Sequence, residues 1–138
     1  MGRRFLIAAA LVLIVPPAVP IAAPVVRSTV TRVFQHEIPN ISGKTLISVI
    51  VNFAPGAKSG SHRHAPSAFI YAYVLSGAVR SQVDDQPVQI YHAGQTWFEP
   101  PGAHHVVSEN ASASEPAQVM AVFVVDTSDK PLTIPDAE

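Results

Sequence analysis

The chain contains no cysteine. That excludes disulfide bridges, thiolate zinc sites, iron–sulfur ligation and a cysteine nucleophile. Charge is scarce as well: 14% of the 138 residues are charged, and nine basic against ten acidic side chains leave a formal charge of −1. A nucleic-acid binder needs a basic field, and this sequence has none. Lysine occurs only at Lys44, Lys58 and Lys130. No stretch of the chain beyond its N-terminal segment shows apolar residues at helical period, and no internal repeat is evident. The length allows one small domain. What the sequence does have is apolar residues, at 48%, enough to argue against disorder, and thirteen prolines with seven glycines that punctuate it densely.

Residues 1–23 read as a targeting segment. Arg3 and Arg4 form a basic head, Phe5 to Val15 an apolar body, and a Pro/Ala-rich stretch runs to Ala22 and Ala23. This is the pattern of a secretory signal. The apolar run is shorter than the ~20 residues a bilayer-spanning helix needs. Cleavage after Ala23 would leave Pro24 first, which signal peptidases disfavour, so an uncleaved inner-membrane anchor is the alternative. Arg3-Arg4-Phe5-Leu6 also resembles a twin-arginine export signal that is one residue short. The expectation is a periplasmic or secreted protein without a stable membrane span after cleavage. The mature part then has about 115 residues, with 7 basic and 10 acidic side chains, large enough for one modest core.

The remainder reads as all-β. Runs rich in β-branched and aromatic residues cover 28–36, 44–53, 68–75, 78–83, 87–91, 95–99, 104–109 and 118–126. Turn residues separate them, among them Ala54-Pro55-Gly56, Ser76-Gly77, Asp84-Asp85 and Pro100-Pro101-Gly102. Short, evenly spaced strands of this kind indicate a sandwich or barrel. The organisation expected is an N-terminal strand segment at 24–43, a barrel at 44–126, and a tail at 127–138 that wraps the surface or frays.

The chemistry lies in the six histidines. His62 and His64 stand at i and i+2, so on a strand they point to one face and can give two imidazole nitrogens to one metal. In the segment Gly94 to His105, the Pro-Pro-Gly turn returns the chain to a strand that carries a third candidate ligand. Either His105 or His104 can be that ligand. An isolated H-x-H pair is weak evidence, because exposed strand histidines are common. His36 and His92 read as surface or turn residues.

Together, the two segments resemble the cupin superfamily. In its first motif a Gly is followed by five residues, His-x-His, three or four residues, Glu, six residues and Gly; Gly56, His62, His64 and Gly77 occupy those places here. In its second motif a Gly is followed by five residues, Pro-x-Gly, two residues and His; Gly94, Pro100, Gly102 and His105 match, and Asn110 comes one residue later than the pattern's Asn. The resemblance covers residues 40–126. It implies a single-domain cupin-type β-barrel, the double-stranded β-helix or jelly roll, with His62, His64 and His105 as metal ligands. It favours His105 over His104.

This sequence departs from the pattern at the motif glutamate. Counting back from Gly77 lands on Ile70, and counting forward from His64 lands on Ala68 or Phe69. None of these can bind a metal. The gap between His64 and Gly77 is also one residue longer than the family pattern allows, so a β-bulge is expected there. Glu99 is the nearest acidic candidate, either as fourth ligand or as an acid behind the ligands; the alternative is a solvated strand-end carboxylate.

Three imidazoles with open positions suit one divalent transition ion: Fe, Mn, Ni, Cu or Zn. Three protein ligands leave room for a substrate, as in catalytic rather than structural sites. The resemblance implies a metal-dependent dioxygenase, decarboxylase or isomerase acting on a small oxygen-rich molecule. The alternatives are a non-catalytic cupin that binds a small ligand or senses metal, and a barrel with a vestigial site and an oligomeric role.

Register with Ile70 turns Ala68, Ile70, Ala72 and Val74 inward and Tyr71 and Tyr73 outward. One of Trp97 and Phe98 is expected in the cavity, and Arg63 is expected to point away from it. The segments 30–38 and 118–126 are apolar and almost free of lysine, so both read as unprotected edges. Together with outward tyrosines, and with the dimers common among small cupins, this predicts a homodimer.

Overall fold

A computed structural model describes residues 26–137. The targeting segment at 1–23 lies outside the described residues. Among those described, no helix is long and apolar enough to cross a membrane.

The described chain is all-β. Its strands are β1 (Thr29–Glu37), β2 (Lys44–Phe53), β3 (Lys58–Ser59), β4 (His62–His64), β5 (Phe69–Ser76) and β6 (Ala78–Val83), then β7 (Gln89–His92), β8 (Thr96–Glu99), β9 (His104–Asn110), β10 (Ala117–Asp126) and β11 (Thr133–Pro135). Two antiparallel sheets face one another. One has the order β1-β2-β10-β5-β8, and the other runs β11-β4-β9-β6-β7 with β3 also on β9. This is the double-stranded β-helix expected from the sequence.

Strand alternation sorts the residues between core and surface. On β5, Ile70, Ala72 and Val74 are 0–1% exposed while Tyr71 is 42% exposed, so the tyrosines face outward. The same alternation on β2 buries Ile47 and Val49, and on β10 it buries Val119, Phe123 and Val125. These residues fill the space between the sheets in two clusters, one around Ile70 and Phe123 and the other around Phe53 and Val79.

Turn chemistry positions the strands. Ala103 N–H donates to Pro100 O at 3.0 Å, and Gly102 has φ +72°. Pro101 and Gly102 thus occupy the two central places of a type II turn, where the second requires positive φ. Gly102 N–H also reaches Ala65 O at 3.2 Å, tying this turn to the end of the histidine strand β4. Gly77 closes the β5–β6 connection at φ +71°, and a Cβ there would stand 2.5 Å from Pro116 O, so only glycine fits.

The bulge expected between His64 and Gly77 falls at Leu75: Gln118 pairs with Ser76 and Val119 with Val74, which leaves Leu75 over. Two expectations are corrected. Segment 118–126 is not an edge; β10 lies in the middle of its sheet, between β2 and β5, because the apolar run that lacks lysine is protected by two neighbours instead. The tail neither frays nor merely wraps: β11 pairs with β4, Thr133 against His64 and Pro135 against His62.

Candidate metal centre

Three of the six histidines meet at one point. His62 and His64 share the inward face of β4. On β9, His105 is the direct cross-strand partner of His62, and Arg63 is the partner of His104. Cross-strand partners share a face, so His105 joins the inward pair while Arg63 and His104 lie on the other side. The pairing thus places His105, and not His104, in the cluster. One nitrogen from each of His62, His64 and His105 lies within 4.8 Å of the others. His64 and His105 are buried, and His62 is half-buried.

Backbone acceptors orient two of the rings. His62 Nδ1–H donates to Gly60 O at 2.7 Å, and His64 Nδ1–H points to Leu132 O at a longer 3.4 Å. Both arrangements leave Nε2 free with its lone pair, as in metal sites whose ligands are fixed by a second hydrogen bond. His105 Nε2 is 2.9 Å from Ser81 Oγ, and its Nδ1 lies 3.3 Å from Glu99 Oε1. Burial holds His105 down to a pKa of about 4, against some upward pull from the Glu99 carboxylate. Burial also lowers His62. These two imidazoles are therefore neutral at neutral pH, the form a metal needs.

Glu99 is no solvated strand-end carboxylate: it is 3% exposed and sits among these rings. Its Oε1 accepts from Trp97 Nε1–H at 3.1 Å. Its Oε2 is 2.8 Å from His64 Nε2. That contact is not a hydrogen bond, because the atoms are out of line, and both remain buried without a partner. Burial pushes the Glu99 carboxyl up, but the adjacent His64 and His105 rings and the Trp97 N–H outweigh it and leave the group below its ordinary value. Two orphaned acceptor atoms side by side are unfavourable alone and are satisfied by a shared cation. The donor set therefore fits a divalent ion.

The histidines open onto a cavity of about 310 Å³ between the sheets. Its deep walls are apolar, with Val49, Ile70, Phe123 and Trp97 among them, and its mouth carries Arg27 and Lys58. Trp97 faces this cavity and packs on Tyr91 at 4.7 Å between centroids, whereas Phe98 is 63% exposed on the outside. Lys58 is paired with Glu109 at 2.8 Å. Arg27 has no acidic partner among the described residues.

The other sequence candidates lie elsewhere. His36 and His92 are exposed. His104 is held outside the cavity by Asp136 at 2.7 Å and Ser61 at 3.0 Å. Asn110 is a clamp: its Nδ2 donates to Ala54 O at 3.0 Å and Glu115 O at 2.8 Å, and its Oδ1 accepts from Ser112 N–H. Sequence reasoning assigns the tail no part in the site, yet Leu132 orients His64, and Thr133 and Pro135 line the mouth. Nothing in the short sequence Thr133-Ile134-Pro135 distinguishes a strand from an exposed tail until β4 is beside it.

The described chain is thus a two-sheet antiparallel barrel that gathers three histidines beneath a small cavity. The family model described as "Cupin domain" matches residues 49–123, and the chain belongs to that family. No curated protein matches it significantly. Among solved structures it is similar to TT1209 from Thermus thermophilus, at 28% identity over 72% of this chain and 84% of that one, with a TM-score of 0.57. A conserved Klebsiella pneumoniae protein with a double-stranded β-helix domain is 19% identical over 81% of this chain and 86% of its own, with a TM-score of 0.61. An oxalate oxidase in complex with glycolate is 22% identical over 78% of this chain and 54% of its own, with a TM-score of 0.61.

Proposed function

We propose that this cupin is a metal-dependent enzyme of dioxygenase, decarboxylase or isomerase type, acting on a small oxygen-rich molecule. The observation that carries this reading is the convergence of three imidazoles at the base of an open cavity. His62, His64 and His105 would hold one divalent ion: Fe, Mn, Ni, Cu or Zn. Such an ion polarises a substrate oxygen and lowers the pKa of bound water. The apolar walls exclude competing water, and Trp97 and Phe123 confine the ligand. Arg27 at the mouth, without an acidic partner among the described residues, favours a substrate that carries a carboxylate. The oxalate oxidase neighbour, which is seen with glycolate, agrees with that class.

The test loads metal-free protein with each ion in turn and offers it small hydroxy and oxo acids, following oxygen uptake and product formation. Metal-dependent turnover is expected. Tight acid binding without turnover for any ion would instead support a non-catalytic ligand-binding or metal-sensing cupin. That second reading is favoured by Ile70, which stands where the family motif has its glutamate.

The assembly proposed is a homodimer through the outer face of the β1-β2-β10-β5-β8 sheet. Register aligns Phe34, Ser48, Val122, Tyr71 and Phe98 in one row across all five strands. Phe34, Tyr71 and Phe98 are 51%, 42% and 63% exposed, and an apolar patch of this breadth marks a contact. Val122→Lys or Tyr73→Asp is expected to give monomers or insoluble protein, while light scattering of the unaltered protein gives twice the chain mass. A stable unaltered monomer at micromolar concentration would reject this.

Export to the periplasm or beyond is proposed from residues 1–23, with an uncleaved inner-membrane anchor as the alternative. Cell fractionation with mass spectrometry of the N-terminus checks it; full-length soluble protein in the cytoplasm would contradict it.

A further inference from the structure

We propose that Glu99 is itself a ligand of the metal, a carboxylate supplied from β8 where the family motif would supply one from β5. The inference rests on the three-histidine reading and extends it. On β5 the inward position facing the histidines is Ile70, 1% exposed and without a donor atom. Glu99 is the cross-strand partner of Ile70. Partners share a face and stand about 5 Å apart at Cβ. One lateral step on the same inner wall thus replaces the missing carboxylate.

The environment of Glu99 calls for a cation. A carboxylate buried to 3% exposure is unfavourable unless paired. No lysine or arginine pairs with it among the described residues. Trp97 Nε1–H holds Oε1 and so fixes the rotation of the group. Oε2 is left without a hydrogen bond, 2.8 Å from His64 Nε2, which is equally without one. Each atom carries a lone pair, and their closeness is explained by an ion that both bind. The charge balance agrees: three neutral imidazoles leave a divalent ion at +2 in an apolar pocket, and one carboxylate halves that. Carboxylate oxygen also widens the range of ions accepted toward Mn(II).

The placement has a local cause. Glu99 ends β8, and the Pro100-Pro101-Gly102 turn leads directly to His105. One rigid turn therefore fixes the spacing of two ligands, whereas in the motif pattern the carboxylate comes from the strand that ends before Gly77.

The test titrates metal-free protein with Mn(II) calorimetrically and records the EPR spectrum of the Cu(II)-loaded form. Glu99→Gln is expected to weaken Mn(II) at least about 10-fold and to shift the Cu(II) spectrum, with the metal-free melting temperature showing that the fold is kept. The double variant Ile70→Glu, Glu99→Ile is expected to recover binding to within a few-fold by restoring the carboxylate on the neighbouring strand. Should Glu99→Gln itself unfold, the same two measurements on Glu99→Asp, which retracts the carboxylate by one methylene, carry the same expectation. Unchanged Mn(II) affinity and an unchanged Cu(II) spectrum in a folded Glu99 variant would overturn the proposal. If His62→Ala abolishes binding while Glu99→Gln does not, only Glu99 is misassigned. If the unaltered protein binds no metal, the three-histidine reading fails and this one with it.

Discussion

Replacing His62, His64 or His105 with alanine is expected to abolish tight metal binding, whereas His104→Ala leaves it intact. The three nitrogens lie within 4.8 Å of one another, so each imidazole is a third of the nitrogen donor set. Losing a group that merely supports a ligand weakens metal affinity by roughly 10- to 100-fold; losing a ligand is expected to exceed about 100-fold. His104 adjoins His105 in sequence, yet its ring is on the other face, bound to Asp136 and Ser61. It therefore serves as a control of equal chemistry and nearly equal position. Elemental analysis of the four variants, after dialysis against a weak chelator, reads the result directly. Metal content in His105→Ala equal to that of the unaltered protein would reject the assignment.

The metal-free protein is expected to lose stability steeply as pH falls from about 6.5 to about 4. His105 ordinarily titrates at 6.5, but burial lowers it to about 4 in the folded chain. Between those values the unfolded chain takes up a proton that the folded chain refuses. Stability therefore falls with falling pH across this window and levels off below it. A separation of this size corresponds to about 3 kcal/mol, which for a domain of this length shifts the melting temperature by on the order of 10 °C. His62 is lowered too and acts in the same sense. Glu99 adds to the loss at the acid end: its folded pKa is below the ordinary value, so its contribution is present above that value and vanishes as the carboxylate is protonated. Melting curves of chelator-treated protein at a series of pH values test this, with His105→Gln expected to flatten the slope. A melting temperature that does not change between pH 7 and 4.5 would contradict the burial argument.

The contrast between His104 and His105 shows where the sequence stops. Both follow the same turn, and spacing alone ranks one above the other without excluding either. The antiparallel register of β4 against β9 excludes one, because alternate residues on a strand must face opposite ways. The same alternation puts Tyr71 and Tyr73 outward once Ile70 is taken as the inward position, and the burial of Ile70, Ala72 and Val74 agrees. Segment 118–126 defeats sequence reasoning for the opposite reason. An apolar strand without lysine is compatible with an exposed edge or a protected centre, and only the two flanking strands decide which.

By itself, the sequence determined the all-β class and the barrel type, singled out His62 and His64, and narrowed the third histidine to His104 or His105 with His105 ranked first, since period-2 patterning, Pro-Gly turns and fixed motif spacings are local properties of the chain. It also showed that the motif glutamate is absent. Only the tertiary structure decided that Glu99 is buried beside Ile70 and turned toward His64, that the tail adds a strand against β4, and that Leu132 orients a histidine. Each of these depends on segments distant along the chain lying side by side, and strand pairing across that distance is set by packing of the whole barrel rather than by any residue's neighbours in sequence.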